Sequence, residues 1–82
     1  MSEEVRNLVE RLLTNKEEFF DKTNTLNSDG RRLLNKIIKL VLSKYPELRK
    51  LASKTRKNPT LENVIKLADE IRSRASRERT NY

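Results

Sequence analysis

Apolar residues recur three and four positions apart along almost the whole of this chain, and turn-forming residues interrupt the recurrence at three places. Such spacing gives a helix one apolar face, whereas a half-buried strand needs apolar residues at every second position. The chain is therefore expected to be all-α, a small four-helix domain. Val5, Leu8, Val9, Leu12, Leu13, Phe19 and Phe20 mark a first helix over about residues 3–22, with Ser2 as its N-cap and Glu3 and Glu4 at the positive end of its dipole. Residues 23–30, TNTLNSDG, place the chain's only glycine after Asn, Ser and Asp, whose side chains bond to nearby backbone in preference to extending a helix. Leu26, inside that turn, is expected to tuck back onto the core.

A second helix is expected over about residues 29–45, with Leu33, Leu34, Ile37, Ile38, Val41, Leu42 and Tyr45 inward and Arg32, Lys36 and Lys39 outward. Pro46 cannot continue it without losing a hydrogen bond, yet suits the first turn of a new helix, so Tyr45-Pro46 marks a corner. The third helix, about residues 46–56, buries Leu48, Leu51 and Ala52. Asn58-Pro59 repeats the device as N-cap and first residue of a fourth helix, whose inner face holds Leu61, Val64, Ile65, Ala68, Ile71 and Ala75. Val5, Leu12, Phe19, Leu26, Leu33 and Leu40 also fall seven apart, but polar Asn15, Lys22, Asp29 and Lys36 occupy the second seam and Gly30 cuts the repeat, which excludes a coiled coil.

At 82 residues there is room for one domain with a modest core, expected over residues 1–76, and residues 77–82 read as a flexible basic tail. The chain has no cysteine and no histidine, which removes disulfides, thiolate zinc sites and the commonest general base. Glu17, Glu18 and Asp21 offer carboxylates, but no partner base or metal-ligand cluster accompanies them. The expectation is a protein that is not an enzyme, with no catalytic residue, metal or cofactor. Met1-Ser2-Glu3-Glu4 is acidic where a signal peptide would be basic, and the longest apolar run, Leu40-Val41-Leu42, is too short to span a bilayer. An intracellular protein of cytoplasm or nucleoid is expected, with no membrane partner.

Charge is concentrated. The chain carries a formal +7, yet residues 1–30 hold four Lys/Arg against seven Asp/Glu, residues 31–60 hold ten against Glu47 alone, and residues 61–82 hold five against four. The net charges are −3, +9 and +1, so the positive excess belongs to the middle third. Such a field suits a polyanion. Within it, a helix, a tight connection and a short basic helix are the elements of a helix-turn-helix, whose second member lies in the major groove while neighbouring side chains hold phosphates.

Residues 58–71, NPTLENVIKLADEI, resemble the segment after the recognition helix in helix-turn-helix domains of the lambda-repressor type, where an Asn-Pro-Ser/Thr-Leu-Glu start and alternating aliphatics dock a helix under the reading head. With the preceding helix, the resemblance covers residues 46–71. Leu42, Ser43 and Lys44 stand where that family's connecting turn carries a small residue or glycine, and the first helix is longer than the family needs. The resemblance implies duplex DNA as partner, a possible homodimer, and the helix Pro46 to Thr55 in the recognition position. Arg49, Lys50 and Ser53 would then lie nearest the base edges, and Arg32, Lys36, Lys54, Arg56 and Lys57 at phosphates. No aromatic residue is interleaved with these charges, which disfavours stacking on single strands.

A second reading is a small accessory subunit or modulator docking on a larger replication or transcription enzyme. It rests on the long acidic first helix, with Phe19-Phe20 at its end offering more apolar surface than one helix face can bury. A basic membrane-surface binder fits less well, since the chain has no Trp and no apolar face beyond the expected core.

Overall fold

A computed structural model describes the backbone of residues 3–80 and the side chains of residues 4–75. In chain order its elements are α1 (Glu3–Thr14), α2 (Lys16–Phe19), α3 (Ser28–Lys44), a 3₁₀ turn (Pro46–Leu48), α4 (Arg49–Lys57) and α5 (Leu61–Thr80). The protein is all-α. Among the described residues β-type pairing is confined to two isolated antiparallel bridges, Phe20 with Leu26 and Thr25 with Thr60. Ser2, expected as the first N-cap, lies outside the described residues, as do Asn81 and Tyr82 of the expected tail. The backbone of α5 is helical through Thr80. No described helix is long and apolar enough to cross a membrane.

The first helix, expected to be continuous to about residue 22, divides at Asn15 and ends at Phe19. The cause is local competition for backbone groups. Thr14 Oγ1 donates to the Glu10 carbonyl at 2.7 Å and Asn15 Nδ2 to the Arg11 carbonyl at 3.0 Å. Asn15 leaves the helical region at φ −109°, ψ 54°. Its carbonyl accepts from Glu18 at 3.0 Å and Phe19 at 3.2 Å, which starts the single turn of α2. Phe20 is then extended, at φ −116°, ψ 145°. On one continuous helix adjacent phenylalanines would diverge by about 100°. The switch to extended backbone sends both inward, leaving Phe19 4% and Phe20 7% exposed.

The following turn is built on Asp21, whose Oδ1 accepts from Thr23 Oγ1 at 2.7 Å, Thr23 N–H at 2.9 Å and Thr25 N–H at 3.1 Å. Asn24 takes the left-handed conformation, φ 60°, that Asn tolerates better than most residues. Asn27 then ties two helices together. Its N–H donates to Phe19 O at 2.9 Å, its Nδ2 to Glu18 O at 2.8 Å, and its Oδ1 caps α3 by accepting from Gly30 N–H at 2.8 Å. Gly30 is thus not the turn glycine that its neighbours suggest: it lies inside α3 and has no positive φ. A Cβ there would sit 2.5 Å from Phe19 O and 2.7 Å from Leu26 Cδ2, so glycine is required by close approach.

Two helix starts differ from expectation. Pro46–Leu48 form a 3₁₀ turn, and α4 proper runs over Arg49–Lys57 instead of starting at residue 46. Asn58 is the C-cap of α4, donating to Lys54 O at 3.0 Å, and does not cap the next helix. Thr60 does: its carbonyl accepts from Val64 N–H at 2.9 Å and its Oγ1 from Asn63 N–H at 3.3 Å. Asn63 Nδ2 returns a 2.8 Å bond to Asn58 O. The Asn58–Leu61 connection is held down by the Asp21 loop, with Leu26 N–H on Pro59 O at 2.9 Å and Leu61 N–H on Asn24 O at 2.7 Å.

The core joins Val5, Val9 and Leu12 of α1 to Leu34, Ile37, Ile38 and Val41 of α3, with Leu48 and Ala52 below them. From α5 come Val64, Leu67, Ala68 and Ile71. Leu67, absent from the inner face expected of this helix, is 2% exposed, while Ile65, expected inward, is 38% exposed. Leu33, Leu42, Leu51 and Leu61 are partly buried at its margin. In this frame α1 packs on α3, and α4 packs on both α3 and α5.

Candidate nucleic-acid interface

The sequence of α4, RKLASKTRK, divides cleanly around its axis. Ala52 and Thr55 are buried, 1% and 0% exposed, and Thr55 Oγ1 bonds to Leu51 O at 2.9 Å, so no free hydroxyl is carried into the core. At 100° per residue, Arg49, Lys50, Ser53, Lys54, Arg56 and Lys57 fall within an arc of about 160° on the other side. All six are exposed. Arg49, Lys50, Ser53, Lys54 and Lys57, with Asn58, line one shallow depression along the helix, and Arg56 lies on the same face outside it. The structure therefore gathers the α4 part of the expected site. Asn58, read from sequence as a cap, is the addition, and only its place at the end of α4 reveals it.

Arg32 and Lys36 occupy the outward stripe of α3, both exposed, and do not line that depression. Arg32 approaches Asp29 at 4.0 Å. Among the described residues, Lys36, Arg49, Lys50, Lys54, Arg56 and Lys57 make no ion pair within that distance. The acids that do pair are engaged elsewhere. Glu10 of α1 bonds Arg72 of α5 at 2.9 Å, Asp69 meets the same guanidinium at 3.7 Å, and Glu62 meets Lys66 at 3.4 Å. Glu47, the one acid among residues 31–60, bonds the half-buried Arg74 at 3.2 Å, which turns it towards α5. Sequence spacing offers no signal for that pair, because its members lie on different helices.

Lys54, Arg56 and Lys57 fall in the last turn of α4, where the negative end of the helix dipole favours cations. Arg49 and Lys50 follow directly on the 3₁₀ turn, with Arg49 N–H on Pro46 O, so the positive end of the helical run lies at Pro46–Leu48, where Glu47 stands. The electrostatic cost of the face is the mutual repulsion of its five cations.

The apolar hint for a protein partner is overturned. Phe19 and Phe20 are both in the core, and the Arg11 guanidinium stacks over the Phe19 ring at 5.9 Å. Glu17, Glu18 and Asp21 are exposed, and among the described residues no group of acidic side chains is arranged to hold a metal ion. Asp21 is held below the ordinary aspartate value of 3.8, first by the Thr23 hydroxyl and then by the backbone N–H groups of Thr25 and Thr23. Those bonds serve the turn.

No protein-family model, curated protein or solved structure matches this chain.

Proposed function

We propose that this protein binds duplex nucleic acid, most directly DNA, through the outward face of α4 with the α3 stripe beside it, in the manner of a helix-turn-helix. The observation that carries the reading is the outward face of α4. Arg49, Lys50, Lys54, Arg56 and Lys57 stand together there, all exposed, and among the described residues none makes an ion pair that would offset their mutual repulsion. A polyanion bound over the face supplies the missing counter-charge. The order of elements agrees with the reading, because α3, the four-residue connection Tyr45–Leu48, α4 and α5 follow one another as helix, turn, short basic helix and supporting helix.

Fluorescence anisotropy with a random-sequence duplex at several salt concentrations tests this. The expected result is a Kd on the order of micromolar, with log K falling against log salt by about 0.9 for every phosphate neutralised. A Lys50→Glu/Lys54→Glu variant is expected to lose the binding. Absence of binding, or binding indifferent to those two charges, contradicts the proposal.

A further inference from the structure

Ser53 is the short side chain in the middle of the α4 depression, and its position along the helix is unusual. The residues one helical turn away on either side, at three and four positions, are Arg49 and Lys50 before it and Arg56 and Lys57 after it. Neighbours at those separations lie roughly 5–6 Å apart between Cβ atoms on the same helix surface. All four are cations, all are exposed, and none forms an ion pair among the described residues. The serine hydroxyl makes no hydrogen bond among them either, unlike Thr55 and Thr14, whose hydroxyls bond back to carbonyls four residues earlier. A long side chain at residue 53 would fill the depression. Serine leaves it open and supplies one free donor at its base.

We infer that Ser53 and the cations around it, Arg49, Lys50 and Lys57 in the depression with Arg56 at its edge, form a seat for a single phosphate group, which in the complex is one backbone phosphodiester of the duplex. The inference rests on the duplex reading above and assigns Ser53 to the phosphate, where the helix-turn-helix resemblance implied a base edge. The chemistry is specific. A phosphodiester presents one negative charge and two unesterified oxygens. Lysine and arginine stems converge on it from both turns with charge-assisted bonds, and the hydroxyl donates from below. The α3 stripe has no equivalent, since Leu33 and Leu40 stand at two of the corresponding positions around Lys36.

The test compares Ser53→Asp with Ser43→Asp, which adds the same negative charge at an exposed position on α3, and with Ser53→Ala. Each is titrated with duplex DNA, and each is unfolded thermally in sodium phosphate and in sodium chloride of equal ionic strength. An aspartate at residue 53 occupies the seat from within. Ser53→Asp is therefore expected to weaken duplex binding at least about tenfold more than Ser43→Asp and to lower the salt slope by about one. Ser53→Ala is expected to weaken duplex binding by about fivefold to tenfold, as loss of one hydroxyl donor to a charged oxygen requires. Phosphate raises the Tm of the parent and of Ser43→Asp by more than that of Ser53→Asp, which keeps only the general stabilisation of a kosmotropic salt. Equal weakening by the two aspartates, or a phosphate effect no larger in the parent than in Ser53→Asp, overturns the seat. A parent chain that fails to bind duplex yet keeps the Ser53-dependent phosphate shift removes the duplex reading and leaves the seat standing.

Discussion

At the scale of single residues, the loop before α3 shows how far identity and role can separate. Gly30 follows Asn27, Ser28 and Asp29 in a segment that reads as a turn, yet its φ is ordinary and its function is to let α3 approach the Phe19 carbonyl. Gly30→Ala is expected to lose about 1–3 kcal/mol in urea unfolding, because the new methyl meets backbone that cannot yield easily. That loss outweighs the gain of about 1 kcal/mol in helix propensity. A neutral or stabilising alanine would refute the close-approach argument. Asp21 gives a pH prediction. Its carboxylate is held below 3.8 by the Thr23 hydroxyl first and the Thr25 and Thr23 N–H groups next. A depressed folded value means the carboxylate stabilises the fold fully above the unfolded value and ceases to do so as pH falls through the folded one. The Tm gap between the parent and Asp21→Asn should be constant above about pH 5 and close as the solution is acidified below 3.8. Sequence placed Gly30 in a turn and Leu26 tucking inward, but put Asp21 at the end of a first helix running to about residue 22. It could not supply their partners, because those depend on where α2 stops.

At the scale of elements, the breaks after α3 and α4 and the inner faces of α1 and α3 were legible, because proline and an uninterrupted helical period are strong local signals. The division at Asn15 was not, since one asparagine and one threonine within an apolar repeat seldom end a helix. Here the back-bonds of Thr14 and Asn15 decide it, and with it the burial of both phenylalanines. The face of α5 was read slightly rotated. Leu61, Val64, Ile65 and Ala68 fit the helical period as well as Val64, Leu67, Ala68 and Ile71 do. The choice falls to the bonds pinning Leu61 to Asn24 and Pro59 to Leu26 in the preceding loop, which fix how the helix enters. Leu67→Ala should accordingly cost about 2–5 kcal/mol and Ile65→Ala less than about 1 kcal/mol in the same unfolding assay. Comparable losses at the two positions would place the inner face of α5 elsewhere.

At the scale of the whole molecule, the fold sorts charge. Ion pairs tie the acids of α1 and the 3₁₀ turn to arginines of α5, and the cations of α4 are left without an internal partner among the described residues. The excess of +9 over residues 31–60 was visible in the sequence; that Glu47 points away from it was not. The longest backbone extent of 44 Å matches about 13 base pairs at 3.4 Å each, so a duplex of about that length should bind with full affinity. The most direct test of the proposed interface is a nitrogen–proton correlation titration of the labelled protein with such a duplex. Shift changes are expected to gather on Arg49–Lys57 and on the Arg32–Lys39 stripe of α3, while Glu3–Thr14 stays unperturbed. Changes centred on α1, with α4 silent, would contradict this interface.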